Sequence, residues 1–296
     1  MGDWLRDRVA IITGAGRGIG KEIALAMAQE GAKVVTDDCD PGLAEMVAKQ
    51  IADLGGQAAW FYGDISAFET ARKLIQTAVD NFGRLDVLVN NAGVAAHNLI
   101  WDMTEDDWDY VISVNLKGTF NCIRHASRIM KEQRWGRIIN TTSFARLGVP
   151  EACGYCAAKA GIVGLTKAVA LEMRSYGVTC NAYGPGAATR LTSSEELKAS
   201  FHRWFKSGAL PEEVYNKLLN PPPPEKIPPF IIYLCTDEAA GITGEVFNVE
   251  GQEILMFTEE VRNSIVKKEE ALWTVEELVA LVPKVLLKCR ESKTSA

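Results

Sequence analysis

Val9-Ala-Ile-Ile-Thr13-Gly14-Ala15-Gly16-Arg17-Gly18-Ile19-Gly20 is the stretch that decides the fold. Val9 to Thr13 is short, apolar and β-branched, the pattern of a strand buried on both faces. The glycines come next, and then Lys21 to Glu30 shows helical periodicity and stops at Gly31. Strand, glycine turn and helix together open a dinucleotide-binding unit. The glycines permit a tight turn, and they let backbone N–H groups and the helix N-terminus approach a pyrophosphate. A lone G-x-G-x-x-G carries little weight, and the spacing here is different: Gly14, Gly18 and Gly20 fit Thr-Gly-x-x-x-Gly-x-Gly.

Downstream, Lys33-Val-Val-Thr36 reads as a second strand that runs into Asp37-Asp38. An acid about twenty residues past the glycines is placed to accept hydrogen bonds from the adenosine ribose hydroxyls. The alternative is a solvated acidic turn, since Asp40-Pro41-Gly42 follows. Two carboxylates would repel a 2′-phosphate, so the expected cofactor is NAD, with Asp38 at the ribose. A helix near Leu43–Leu54, a strand at Ala58–Tyr62, a helix to Phe82 and a strand at Leu85–Asn90 continue the alternation. That order implies a parallel, doubly wound sheet. Asn90-Asn91-Ala92-Gly93 stands at the carboxyl end of its strand, where open α/β sheets bind ligands. Trp108 to Met130 reads as one helix with Asn115, a poor interior helix residue, in its middle.

The second half carries a fifth strand at Gly136–Thr141, ending in Thr142-Ser143. A helix from Tyr155 to about Tyr176 and a sixth strand at Val178–Tyr183 follow, the strand closed by Gly184-Pro185-Gly186. Tyr155 and Lys159 lie four apart on one helix face. A phenol can exchange protons near neutral pH only if its pKa falls from about 10, and a nearby ammonium favours that. Lys159 is expected to supply the charge; by itself the pair also suits an ordinary amphipathic helix. Residues 187–229 are long for a loop in a compact domain. Helices are expected at Ser194–Ser207 and Pro211–Leu219, with Phe201, Trp204 and Phe205 grouped. The segment reads as a mobile lid, the alternative being a fixed helical subdomain. A last strand is expected at Glu245–Val249. The dinucleotide-binding domain is drawn as residues 1–251, and 252–296 as a C-terminal helical extension carrying a capping box at Thr274-Val-Glu-Glu277.

Composition excludes several classes. A net charge of −6 with no basic block argues against a nucleic-acid partner. No apolar run approaches the roughly 18 residues of a membrane span, and the N-terminus lacks a signal-peptide pattern. Seven scattered cysteines fit reduced thiols, hence a cytoplasmic location, and three distant histidines do not form a metal site. Cys153-Gly-Tyr-Cys156 has redox-motif spacing, but no second pair completes a zinc site.

From about Arg8 to Gly251 these motifs, in this order, resemble the classical short-chain dehydrogenase/reductase family. The matching positions are Thr13 to Gly20, Asp64, Asn90 to Gly93, Asn115, Ser143, Tyr155, Lys159, Pro185-Gly186 and Thr189. The resemblance implies a Rossmann-type α/β sheet of about seven strands with helices on both faces. It also implies an NAD-dependent oxidoreductase interconverting a secondary alcohol and a ketone. By resemblance Tyr155 is the general acid/base, Ser143 bonds the substrate oxygen, Lys159 holds the nicotinamide ribose and lowers the tyrosine pKa, and Asn115 anchors a relay water. The implied cofactor-binding set is Gly14, Arg17, Gly18, Ile19, Gly20, Asp38, Asp64, Ile65, Asn91, Ala92, Gly93, Tyr155, Lys159, Pro185, Gly186 and Thr189, with no metal.

One departure concerns the serine: Thr142 stands thirteen residues before Tyr155, the family's usual spacing, and Ser143 twelve. The strand Arg137–Ser143 aligns better with Ser143. Trp135-Gly-Arg-Ile-Ile, Ala187 to Thr192, Pro224 to Pro229 and Tyr233-Leu-Cys235 are similar to the (3R)-hydroxyacyl-CoA dehydrogenase part of peroxisomal multifunctional enzymes. The tail from Trp273 is similar to extensions in related bacterial dehydrogenases. The resemblance therefore points to an apolar substrate, with (3R)-hydroxyacyl-CoA first and a hydroxysteroid or cyclic or aromatic alcohol as alternatives. A catalytically silent nucleotide-sensing or scaffold protein on the same fold is the alternative class. Arg190, Lys198, Arg203 and Lys206 are candidates for a CoA phosphate patch or else a solvated helix face. The family's long helices pair across subunits, so a homo-oligomer, a tetramer, is expected.

Overall fold

The computed structural model describes residues 3–190, 193–208, 210–257 and 274–285. In chain order these form β1 (Val9–Ile12), α1 (Gly18–Gln29), β2 (Lys33–Asp38), α2 (Leu43–Asp53), β3 (Gln57–Tyr62), α3 (Phe68–Phe82) and β4 (Val87–Asn90). Next come α4 (Glu105–Val111), a π-helical turn (Ile112–Lys117), α5 (Gly118–Gln133), β5 (Gly136–Thr141), α6 (Cys153–Met173) and β6 (Val178–Gly186). The series continues with α7 (Glu195–Lys206), α8 (Glu212–Leu219), α9 (Pro228–Cys235), β7 (Val246–Glu250), β8 (Glu253–Phe257) and, in a second unit, α10 (Val275–Val285).

The strands make one eight-stranded sheet in the order β3-β2-β1-β4-β5-β6-β7-β8. All neighbours are parallel except β7 and β8. Strand residues divide by parity, as a period of two requires. Ala10, Ile12, Val34 and Val89 enter one core with α1, α2 and α9; Val9, Ile11, Val35 and Leu88 enter the other with α3, α5 and α6. Both faces are therefore dry, which is why the strands read as unbroken apolar runs. The direction of winding reverses between β1 and β4, so their carboxyl ends frame a crevice.

Three details differ from the sequence reading. Asn115 does not sit in a uniform helix: the Trp108–Met130 stretch is α4 and α5 joined through the π-helical turn. β6 runs on through Pro185 and Gly186, which pair with Val249 and Glu250 of β7. The sheet gains an eighth strand, because Glu250 and Glu253 pair around a two-residue turn in which Gly251 has φ 59°, the positive φ that such a hairpin needs at its first central position. The expected boundary at Gly251 falls inside this hairpin, and the first compact unit ends at Phe257. In the second unit the capping box is present: Thr274 N donates to Glu277 Oε2 (2.9 Å) and Glu277 N to Thr274 Oγ1 (3.3 Å). Trp273, Leu191 and Thr192, which belong to similarities noted above, lie outside the described residues.

Candidate active site

The crevice is built from the ends of β1 and β4. Thr13 Oγ1 accepts hydrogen bonds from Asn91 N and Ala92 N, both at 3.0 Å. Asn91 Nδ2 returns bonds to the Thr13 and Gly14 carbonyls (3.0 and 3.1 Å). The glycine turn and the Asn90–Gly93 loop are thus locked together. Beyond the turn, α1 begins without a side-chain cap and without an acid in its first turn. Its first N–H groups are open to an anion, as a pyrophosphate would require. Gly18 takes φ 53°, and a Cβ built on it would stand 3.8 Å from Thr189 Cγ2, so Thr189 overhangs the turn. Asp38, 7% exposed, ends β2 beside this turn; its Oδ2 accepts from Gly16 N (3.0 Å) and its Oδ1 from Asp40 N (3.0 Å). Each oxygen keeps a lone pair for a ribose hydroxyl. Arg17, the cation of the turn, is tied to Asp40 at 2.8 Å. At the end of β3, Asp64 is exposed and Ile65 is buried, the Ile65 carbonyl held by Asn121 Nδ2 (2.9 Å). These residues could hold a dinucleotide.

The second half of the site lies over β4 and β5. Gly93 shows how closely it is packed: a Cβ there would lie 2.7 Å from Asn115 Oδ1 and 3.6 Å from Lys159 Nζ. Asn115 is fully buried. Its Nδ2 donates to the Val94 and Val111 carbonyls (2.8 and 2.9 Å), and its Oδ1 accepts from Val94 N (3.3 Å). The π-helical turn places this amide at the crevice, a common use of such turns at functional sites. Lys159, 2% exposed, donates from Nζ to the Thr141 carbonyl (2.8 Å) and lies 5.4 Å from the Tyr155 ring centroid. Thr142 faces inward, its hydroxyl on the Lys159 carbonyl (2.7 Å), and so pins α6 to β5. Ser143 instead hydrogen-bonds the Tyr155 phenol. The geometry puts Ser143, not Thr142, beside the tyrosine. Asn115, Ser143, Tyr155 and Lys159 are gathered in one place.

Their ionisation departs from the sequence expectation. Burial pushes the Tyr155 phenol up to about 12, against a smaller opposite pull from Ser143. Burial also brings Lys159 down to about 7. Burial therefore outweighs any lowering of the phenol, and Lys159 is not among the groups that shift it. The pocket as it stands holds a protonated phenol at neutral pH, a proton donor.

The residues that support these groups were mostly missed in the sequence. Arg146 reaches back to the Ser143 carbonyl (2.9 Å), touches Asn248 Oδ1 (3.4 Å) and lies 4.1 Å over the Phe257 ring. Glu151, four residues before Tyr155, holds φ 59° without being glycine. Its carboxylate accepts from Ser200 Oγ (2.7 Å) and from Arg203 Nη2 and Nε (2.6 and 3.2 Å), and Arg203 holds its pKa below the ordinary carboxylate value. α7 is therefore fastened to the loop that precedes α6. Phe201 and Trp204 are buried in a small core with Leu197, against Val149, Tyr215 and Leu218, while Phe205 stacks on Tyr215 (4.5 Å). Two of the four candidates for the basic patch are paired within the chain, Lys198 with Glu195 (2.8 Å) and Arg203 with Glu151. In the Pro185–Thr189 region, Pro185 and Gly186 close β6, and Ala188 N donates to the Pro222 carbonyl (2.8 Å).

Comparison with known proteins followed the same lines. The short chain dehydrogenase family pattern matches residues 8–199. A 3-oxoacyl-[acyl-carrier-protein] reductase of Synechocystis sp. is 42% identical over 255 residues, covering 85% of this chain and 98% of its own length. The 3-oxoacyl-[acyl-carrier-protein] reductase FabG of Staphylococcus epidermidis is 36% identical over 253 residues, covering 83% and 98%. The crystal structure of a short chain dehydrogenase from Mycobacterium avium superposes with a TM-score of 0.82 at 37% identity, covering 96% of each chain.

Proposed function

The chain belongs to the short-chain dehydrogenase family of oxidoreductases, and on that premise we propose that it is an NAD(H)-dependent reductase of ketones on apolar acyl chains. The observation that carries this is the cluster of Asn115, Ser143, Tyr155 and Lys159 beside the uncapped start of α1. The cofactor, when bound, supplies or takes the hydride; the chain's own residues handle the proton and the charge. Ser143 and Tyr155 hold the substrate oxygen by hydrogen bonds that strengthen as negative charge develops on it. Tyr155 gives its proton to that oxygen. The protonated phenol suits reduction, and the reverse reaction requires the phenol to lose its proton first. Lys159, charged once an anionic or polar ligand offsets its burial, stabilises the phenolate left behind. Asn115 fixes the Val94 loop, which would border the nicotinamide half of the cofactor.

The substrate class we favour is a 3-oxoacyl thioester or the corresponding (3R)-hydroxyacyl thioester. Support comes from relatives named as 3-oxoacyl-[acyl-carrier-protein] reductases. A free cyclic or steroid alcohol is the second reading, favoured by the internal pairing of Lys198 and Arg203, two of the four candidate cations for a phosphate-bearing carrier. NAD is supported by Asp38 at the end of β2 and by the engagement of Arg17 with Asp40. We further propose a homotetramer in the cytoplasm. Trp108, Tyr110, Phe120 and Leu171 are exposed on the helices that would pair, and no described helix is long and apolar enough to cross a membrane. A panel of 3-oxoacyl thioesters, oxosteroids and cyclic ketones, followed by NADH and NADPH absorbance, tests the proposal. Turnover of thioesters with NADH is expected. Faster turnover of a steroid or cyclic ketone would replace the first substrate class by the second.

A further inference from the structure

Three consecutive amides of the glycine turn are directed at β2. Ala15 N donates to the Asp37 carbonyl (2.7 Å), Gly16 N to Asp38 Oδ2 (3.0 Å), and Gly14 N to the Asp37 carboxyl. The turn therefore rests on the acid pair through both main chain and side chains. The two acids differ in every other respect. Asp38 stands at the crevice with both oxygens hydrogen-bonded. Asp37, one residue earlier on the strand, points into the opposite core layer, as the alternation of a strand demands. It is 1% exposed, and its Oδ1 has no hydrogen-bond partner.

The surroundings of Asp37 offer its charge no compensation. The titratable groups that face it are Asp38 and Cys39 on its own strand end, Asp64 at the end of β3 and the buried thiol of Cys122 on α5. Among the described residues no cation forms an ion pair with it, and Arg17 is committed to Asp40. A buried carboxylate with one amide donor, one bare oxygen and two acidic neighbours is costly, and the protonated acid is much less so.

We propose that Asp37 is a positioning residue for the dinucleotide that works as a neutral acid, bracing the Gly14–Ala15 turn from beneath, and that its ionisation loosens dinucleotide binding. A neutral Asp37 leaves Asp38 to carry the charge at the ribose subsite; an ionised one adds a second negative charge below the turn that must receive a pyrophosphate. Burial first, and then the charge of Asp38, raise the Asp37 carboxyl well above the ordinary carboxylate range, in agreement with this geometry. The proposal rests on the crevice being a dinucleotide site, but its protonation half does not depend on which nicotinamide cofactor is used.

The sign is fixed by linkage. The unfolded chain releases this proton near pH ~4, while the folded protein holds it to higher pH. Stability from this site is thus full below about pH 4 and is lost as the pH rises toward the folded pKa. Asp37→Asn removes the titration and keeps the shape. Two measurements are made on the full chain. Without cofactor, thermal unfolding is followed across pH; the variant is expected to lose less Tm than the wild type between about pH 5 and about pH 9. With NADH, and with NADPH in parallel, Kd is measured by fluorescence. The ratio of wild-type to variant Kd is expected to rise at least about tenfold between about pH 6 and about pH 10, a ratio from which the shared titration of Lys159 cancels. Parallel Tm curves, or a ratio that does not rise, would overturn the proposal. If Asp37→Asn does not fold, Asp37→Ala serves for the Kd ratio, and the infrared band of a protonated carboxyl in the wild type replaces the Tm comparison; its absence at pH 7 overturns the proposal equally. Failure of both nucleotides to bind wild type would instead remove the dinucleotide reading, leaving the Tm arm to judge Asp37 alone.

Discussion

Burial brings the Lys159 ammonium down to about 7, although its Nζ donates to the Thr141 carbonyl. The unfolded chain keeps the same proton to about 10.5. The folded protein is therefore penalised in full below pH 7, and the penalty is relieved as the pH climbs from about 7 to 10.5 at up to about 1.4 kcal/mol per pH unit. Lys159→Met should raise the Tm of the cofactor-free protein at pH 6 and show no such gain at pH 10.5; a gain equal at both would show that the lysine is not desolvated. Asp38 gives a second residue-scale test. Asp38→Ala removes the charge that disfavours a 2′-phosphate, so the ratio of NADPH to NADH affinity should rise, and an unchanged ratio would move the selectivity elsewhere. Both positions were legible in the sequence, because each sits at a fixed distance from a glycine turn or a tyrosine. The ionisation of the Tyr155–Lys159 pair was not. Spacing shows that two groups are neighbours, but only packing shows that the lysine is dry and bonded to a carbonyl.

The π-helical turn and the Glu151 clamp act at the scale of elements. Asn115 ties Val94 to Val111, so Asn115→Ala strands two carbonyls in a dry place and should cost roughly 1–3 kcal/mol in denaturant unfolding. An asparagine in mid-helix was a visible anomaly, but the extra backbone residue it accompanies has no sequence mark. The β7–β8 hairpin had one, since Val249-Glu-Gly-Gln-Glu253 offers a glycine turn between apolar runs. It was obscured by reading Gly251 as a domain end. Glu151 and Arg203 stand 52 residues apart, and nothing local announces that they meet. We propose that this pair, with Val149 under Phe201 and Trp204, holds residues 187–229 as a lid in its closed position. Hydrogen exchange over α7 should slow when NADH and substrate bind, and should quicken in Arg203→Ala. Equal, high protection in free and bound enzyme would make the helical pair a fixed subdomain. Phe201 and Trp204 are buried in a core of their own, as a fixed subdomain would also have them, so exchange rather than packing separates the two.

For the whole molecule, the parity of strand residues places two cores on one sheet, and the reversal between β1 and β4 brings the glycine turn and the Tyr155 helix to the same edge. This much followed from the alternation of short apolar runs and helical stretches, because a parallel sheet has few ways to be wound. Assembly did not follow in the same way. Exposed Trp108, Tyr110, Phe120 and Leu171 suit a tetramer, and sedimentation at micromolar concentration should give one; a monomer alone would contradict it. The central claim is that Tyr155 delivers the proton to a ketone held by Ser143 beside the nicotinamide site. Its most direct test is Tyr155→Phe, with NADH binding by fluorescence and thioester reduction by absorbance measured on the same preparation. The expected result is NADH affinity close to wild type with turnover lowered by at least about 10²-fold, the range that general acid catalysis supplies. Near-normal turnover in that variant would contradict the claim.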